Sequence, residues 1–339
     1  MSDLLTPADP VVALGYTPRE AAFLRLVARH GGYFVMRQFC AAIERGHGRM
    51  TVAFARKLVR RKDATVQTFC RATQVLHLAP RLLYTAAGVG RDARRRRLRP
   101  ATAITARLMA LDYVLVHPRL TFLATDDEPL TYLDRLGVDR LWLPQQRYLG
   151  HRMTAPRLRY FVDGGPLAIA RPGTGTETFV VACLDDGPNS AVSFARFLEQ
   201  YRDLLAQLPV WRVVLVTRDL QRVGPAERAF DQIVASRVPV SPYDAGALET
   251  FEEYARLRQA FERKQWSALQ KAGLDRLSVL RRAYVGAHWE RLFGQWEHRG
   301  RAVLAAAAAP PTGWSSQGSF AACVMRHSYA ATLAVRGPR

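Results

Sequence analysis

Residues 49–78 read RMTVAFARKLVRRKDATVQTFCRATQVLHL, and this stretch decides the fold. Val52, Ala55, Leu58 and Val59 recur at helical spacing and mark the inner side of a helix over roughly 50–62. The opposite side carries Thr51, Arg56, Lys57, Arg60 and Arg61, with Arg49 at the helix entry after the tight turn Gly46-His47-Gly48. After Asp63 the texture changes to β-branched and aromatic residues. Segments 65–72 and 74–84 read as the two strands of a hairpin.

Two more helices precede this unit. Thr17-Pro18 is a helix start, with Thr17 as the cap and Pro18 at the first position. Ala21, Leu24, Val27 and Ala28 follow at helical spacing, and Gly31-Gly32 ends the helix. The second helix is expected over roughly 34–45, with Phe34, Phe39, Ala42 and Ile43 turned inward. Three helices and then a hairpin is the order of a winged helix-turn-helix, here over 14–90. In that arrangement the third helix enters the major groove and the wing touches the backbone or minor groove. DNA readout needs donors for phosphates and base edges, and Arg49, Thr51, Arg56, Lys57, Arg60 and Arg61 supply them.

The charge supports a polyanionic partner. The chain has 339 residues, 49 Lys+Arg against 29 Asp+Glu, and a net charge of +20. Only four of the basic residues are lysine, a bias that genomic base composition produces by itself, so the position of the charge says more than its chemistry. Residues 1–117 carry 20 basic against 7 acidic residues, 120–262 carry 16 against 19, and 263–339 carry 12 against 3. A basic head and a basic tail therefore flank a near-neutral middle. The densest cluster is Arg94, Arg95, Arg96, Arg97 and Arg99, shortly after Arg91, in a linker that would neutralise several phosphates. A long helix over roughly 101–116 completes the linker region 91–119.

The middle, 120–245, alternates strands and helices. Strands are expected at 157–162, 166–170, 178–184 and 211–217. An amphipathic helix at roughly 190–207 joins the last two, which implies a parallel pair in an α/β sheet. A helical tail follows over 246–300, with helices at roughly 245–271 and 274–297; 304–311 reads as a linker, and 301–339 receives no assignment. The fold class is therefore α+β: a winged helix-turn-helix, an α/β domain and a helical tail.

Three stretches of the head resemble one family: LGYTPREAAFLRLVARHGGYFVMRQF, ARKLVRRKDA and LRPATAITARLMALDYVL. They are similar to the winged-helix module of the replication-relaxation-like proteins of plasmids and integrative conjugative elements. In the middle, RYFVDGGPLAI, TFVVACLDDGPNSAVSFARFLEQYRDLL and WRVVLVT resemble that family's companion domain, which is related to restriction-endonuclease folds. The resemblance spans about 14–218 and implies a mobile-element protein acting on DNA.

It also raises nuclease chemistry. Such an enzyme holds Mg²⁺ with an acid on one strand and an acid-x-Lys on the next. Asp163 is the candidate first acid and Asp185 the second, but Cys183 stands two positions before Asp185, where the pattern often has an acid. No lysine occurs between Lys62 and Lys264, and arginine substitutes poorly in proton handling. The middle therefore reads as a degenerate nuclease-like domain, with no metal, cofactor or catalysis expected. The bland reading also prevails elsewhere. Gly173-Thr174-Gly175-Thr176 lacks phosphate-loop spacing, and His288, His298 and the tryptophans 266, 289, 296 and 314 read as helix-face or core residues.

No run of about 18 apolar residues occurs and MSDLLTPADP has no signal-like apolar core, so a cytoplasmic, nucleoid-associated protein without membrane contact is expected. Cys40, Cys70, Cys183 and Cys323 form no CxxC pair, which fits a reducing compartment. The expected partner is double-stranded DNA, bound by a homodimer that regulates transcription. The alternatives are a metal-dependent nuclease or origin relaxation factor, and an assembly protein recruited to DNA.

Overall fold

The computed structural model describes residues 9–69, 74–90, 93–148, 157–162, 165–171, 173, 175–185, 190–235, 243, 245–308, 317–327 and 329. The protein is mixed α+β. The head opens with α1 (Pro10–Ala13) and α2 (Pro18–Arg29). The start of α2 is fixed by a reciprocal cap: Glu20 N donates to Thr17 Oγ1 at 3.3 Å, and Thr17 N donates to Glu20 Oε2 at 2.9 Å. Its end is fixed by Gly31 and Gly32, both at positive φ. A Cβ at Gly31 would lie 2.5 Å from Arg107 Nη1, and one at Gly32 would lie 2.1 Å from the Tyr84 hydroxyl, so neither position admits a side chain.

β1 (Tyr33–Phe34), α3 (Met36–Ala42), α4 (Arg49–Arg60), β2 (Ala64–Thr68), β3 (Gln74–Leu78) and α5 (Arg81–Ala86) complete the head. The three strands form an antiparallel sheet in the order β1-β3-β2. Two details differ from the sequence reading. The second helix begins after a short strand, because Tyr33 and Phe34 pair with His77 and Leu76 of β3. The second hairpin strand ends at Leu78, and Pro80 opens α5 instead of continuing the strand. Phe23, Phe34, Phe39 and Phe54 pack in mutual ring contact at the centre of the head, with Phe39 and Phe54 at 4.1 Å.

A short 3₁₀ turn (Ala93–Arg96) leads into α6 (Ala101–Val116). A five-stranded sheet follows, in the order β10-β9-β8-β7-β4, from β4 (Thr121–Phe122), β7 (Leu167–Ala170), β8 (Thr178–Leu184), β9 (Val210–Thr217) and β10 (Gln317–Val324). β7 pairs antiparallel with both β4 and β8. β8, β9 and β10 are parallel. α7 (Asp127–Arg135) precedes β5 (Gln145–Tyr148) and β6 (Arg157–Tyr160), which form a separate hairpin. The strand expected at 157–162 is therefore not part of the main sheet. The middle of the sheet is buried on both faces, so β8 and β9 read as nearly continuous apolar runs. Phe179, Val181, Val213 and Leu215 face α8 (Ser190–Ala206) through Phe194, Leu198, Tyr201 and Leu205. Val180, Ala182, Val214 and Val216 face α6 through Ile104, Leu108, Met109 and Tyr113.

α9 (Val223–Ala235), α10 (Ala245–Glu262), α11 (Trp266–Ala283), α12 (Ala287–Arg299) and α13 (Ala302–Ala308) follow. The long helix expected over 245–271 is broken before Trp266, and α13 occupies most of the expected linker at 304–311. The tail folds back on the middle: Arg147 of β5 donates to Glu297 at 2.7 Å and to Glu262, and its guanidinium lies 4.8 Å from the centre of the Phe293 ring. β10 is an edge strand of the sheet, so 317–324 of the segment 301–339 left unassigned in the sequence belong to the main sheet. Among the described residues no helix is long and apolar enough to cross a membrane.

Head, α6 and chain end meet at Asp112. Its carboxylate accepts from Arg37 Nη1 and Nη2 at 3.1 and 2.6 Å, from Gln38 Nε2 at 2.8 Å and from the Tyr329 hydroxyl at 2.7 Å. Gln38 also donates to Leu108 O and accepts from Val35 N. Burial and the Asp112 charge hold the Tyr329 hydroxyl protonated far above its ordinary range. Removing one member of a buried charged network leaves the rest unsatisfied. Asp112→Ala is expected to destabilise the protein by about 3 kcal/mol, and Tyr329→Phe by about 1 kcal/mol. Urea unfolding at neutral pH measures both.

Candidate nucleic-acid interface

α4 begins where Gly48 leaves the loop, and Thr51 caps it. The Thr51 hydroxyl donates to Gly48 O at 2.8 Å and accepts from Gly48 N at 3.0 Å. Thr51 is almost fully buried, so it sets the helix start and is not presented to a ligand. Phe54 and Leu58 anchor the helix to the phenylalanine cluster. The outer side shows Arg49, Ala53, Arg56 and Arg60, all exposed. At 100° per residue these four positions fall within about 60° of the helix circumference, a single stripe roughly 16 Å long. Among the described residues, none of these three arginines is in an ion pair. Met50 and Val59 flank the stripe and are exposed as well.

The other two basic residues named for this helix turn aside. Lys57 donates to Glu20 Oε2 at 2.7 Å and lies over the Tyr16 ring at 4.6 Å. Arg61 donates to Asp63 at 2.8 Å and to Leu14 O at 2.7 Å, with Tyr16 also beneath it. Both brace α4 against α1 and α2. The neighbouring hairpin exposes Thr65, Val66 and Thr68; the segment 70–73 at its tip lies outside the described residues.

The arginine linker is not a uniform outer clamp. Arg95 points inward: its guanidinium donates to Ala124 O at 2.5 Å, to Ala28 O at 3.4 Å and to Arg29 O, tying the end of α2 to the strand region after β4. Its own carbonyl accepts from Tyr84 at 3.2 Å and lies 3.2 Å from His77 Nε2. Arg99 N donates to the Tyr33 hydroxyl at 3.0 Å, and its side chain lines a partly open pocket. Arg97 is exposed and Arg96 is partly covered. Arg94 falls in the short turn, and its side chain lies outside the described residues. Single-sequence reading cannot separate an arginine that caps carbonyls from one that awaits a phosphate, because both need only a guanidinium.

Of the two candidate acids, Asp163 lies outside the described residues. Asp185 sits at the end of β8, and its carboxylate is buried. It accepts from Thr217 Oγ1 at 2.7 Å and from Arg222 Nη1 at 2.8 Å. Each carboxylate oxygen of Asp185 thus already accepts one hydrogen bond, one from a hydroxyl and one from a guanidinium. Among the described residues no cluster of three His, Cys, Asp or Glu is gathered around one point.

His30, which follows the last residue of α2, is a titratable group that nothing in its local sequence marks. Its ring meets Phe122 edge-on at 5.5 Å. Burial, with Arg95 and Arg29 beside it and only Glu128 opposing, lowers its pKa to about 3. The unfolded chain therefore binds a proton that the folded chain refuses. Stability is full above pH 6.5 and is lost as pH falls below it. Lowering pH from 7.5 to 5 is expected to remove about 2 kcal/mol through this residue. Chemical denaturation at the two pH values should show a smaller loss in His30→Phe.

Comparison with protein-family models, with curated proteins and with solved structures finds no match to this chain.

Proposed function

We propose that residues 14–90 form a winged helix-turn-helix that binds duplex DNA, with α4 as the helix that enters the major groove. The observation that carries this reading is the exposed Arg49–Arg56–Arg60 stripe on α4. Around it stands the framework such a module uses: α2, β1, α3 and α4, then a hairpin, with the sheet in the order β1-β3-β2. The stripe offers bidentate donors to base edges and phosphates, and the major groove, about 12 Å wide, admits one helix. Arg97 extends the basic surface beyond the head. A homodimer on a two-fold site would double these contacts. The role we assign is transcriptional regulation on a mobile element.

For the middle we propose a restriction-endonuclease-like sheet that has lost metal chemistry. Three antiparallel strands, a crossover helix and a parallel strand support the architecture. The Asp185–Arg222 pair and the absence of lysine from 63–263 support the loss of chemistry.

Electrophoretic mobility shifts with duplex fragments at several salt concentrations test the first reading. Arg56→Glu combined with Arg60→Glu should weaken binding by about 100-fold or more and reduce the salt slope by about 2. Unchanged affinity at moderate salt would remove α4 from the interface. For the second reading, incubation of supercoiled DNA with Mg²⁺ should leave it intact. Cleavage that disappears in Asp185→Ala would instead establish an active nuclease.

A further inference from the structure

β10 stands at the end of the five-stranded sheet and pairs parallel with β9, from Gln317 beside Val210 to Val324 beside Thr217. Gln317 N donates to Pro209 O at 2.8 Å, and Met325 N donates to Thr217 O at 2.7 Å. In a parallel ladder alternate residues bond to one neighbour, so the odd-numbered residues of β10 serve β9. The backbone N–H and C=O groups of Gly318, Phe320, Ala322 and Val324 point the other way. Among the described residues no group donates to them or accepts from them. Gly318, Ala322 and Val324 are exposed.

Strand edges that must stay single are blunted by shortness, charge, proline or a bulge. The opposite edge of this sheet is short: β4 has 2 residues. β10 has none of these protections. Its 8 residues, QGSFAACV, include no charge and no proline, and their register with β9 is unbroken. The strand is also held firmly in place. Phe320 packs against Phe194 and Phe230, with ring centres at 5.8 and 5.6 Å. Gly318 lies against the Trp211 ring, where a Cβ would come within 2.3 Å. The outward groups are therefore presented as a fixed row that another strand can read.

We propose that the β10 edge pairs with the β10 edge of a second copy, antiparallel about a two-fold axis at Ala321, so that the two sheets become one. The register follows from the outward groups. With the axis at Ala321, Gly318 of one copy meets Val324 of the other, and Phe320 meets Ala322. Each is a hydrogen-bonded pair that exchanges two bonds, so every outward residue of both copies is satisfied. Moving the axis to Phe320 or to Ala322 leaves one outward residue unpaired in each copy. The strand suits its own copy better than a foreign strand selected by charge. An uncharged strand meets itself without like charges opposed. A larger side chain falls opposite a smaller one in both kinds of pair, and alanine stands on the axis, where a side chain meets itself. Such an interface is isologous and closes at the dimer. The inference deepens the homodimer of the reading above and rests on it only for the DNA geometry, since the same axis relates the two α4 stripes.

The test is sedimentation velocity of the full chain without DNA over a range of concentrations. One strand pair is a small interface, so a dimer with a Kd on the order of 10 µM is expected. Ala322→Pro removes an outward N–H without touching the β9 ladder and should weaken the dimer by about tenfold or more. Ala322→Lys sets a charge on the exposed edge and should do the same; it keeps the test open if Ala322→Pro fails to fold, and thermal melting by circular dichroism checks both. Ser319→Cys places a thiol opposite the native Cys323 of the other copy, in a pair whose Cα atoms are about 4.5 Å apart. Mild oxidation should then give a covalent dimer that is absent from the wild type and from Ser319→Cys with Cys323→Ser. Arg56→Glu with Arg60→Glu should leave the dimer unchanged, so loss of DNA binding and loss of pairing are read separately. Three results would overturn the proposal. These are a chain that stays monomeric at about 100 µM, a dimer unaffected by Ala322→Lys, or no covalent dimer from a folded Ser319→Cys.

Discussion

The carboxylate of Asp112 is the constraint on which the arrangement of head and sheet depends. A buried charge must be surrounded by donors, and Asp112 draws them from three distant parts of the chain: Arg37 and Gln38 in α3, and Tyr329 near the end. This fixes the rotation of α6 about its own axis. One side of α6 then presents Leu111 to the head core, and another presents Ile104, Leu108 and Tyr113 to the sheet. A helix apolar over so much of its circumference has to be buried between two layers. α6 is therefore shared by both halves.

The net charge of +20 resolves into groups with different work. Lys57 and Arg61 hold α4 onto Tyr16, Glu20 and Asp63. Arg95 satisfies carbonyls at the end of α2, where a helix terminus would otherwise leave buried acceptors open. Arg147 and Arg258 lock the helical tail against β5 and against itself. What remains for a polyanion is much smaller than the total. Among the described residues it is clearest in the α4 stripe, where Arg49, Arg56 and Arg60 are exposed.

Elements set by local chemistry were legible in the sequence. The Thr17-Pro18 helix start, the amphipathic pattern of α4 and α8, and the apolar runs of β8 and β9 each depend on residues close together in the chain. β10 was not legible, because QGSFAACV has few strand-forming residues and becomes a strand only by pairing with β9 along its whole length. The β5–β6 pair was half read for the same reason. The α4 side of the candidate interface could be read because helical periodicity separates inner from outer positions. Even so, periodicity could not show that Thr51 would turn back to cap Gly48 or that Lys57 would meet Glu20. The pocket was not legible: Arg29, Arg107 and Arg159 come from three separate elements, and each is an ordinary residue in its own local context.

α2 runs from the arginine-lined pocket to the anchor of α4. Its C-terminal end contributes Arg29 and His30 to the pocket wall. Its middle contributes Phe23, which contacts Phe34, Phe39 and Phe54, and Phe54 is the anchor of α4. Packed aromatic rings at these separations leave little room for small adjustments. A shift at the α2 end would have to pass to α4 as a rigid displacement or be absorbed at Gly31-Gly32. Arg107 and Tyr84 stand where a Cβ at Gly31 and Gly32 would go, so these two positions are kept as glycine. The glycines that let the chain leave α2 are thus pinned by the same arginine that lines the pocket.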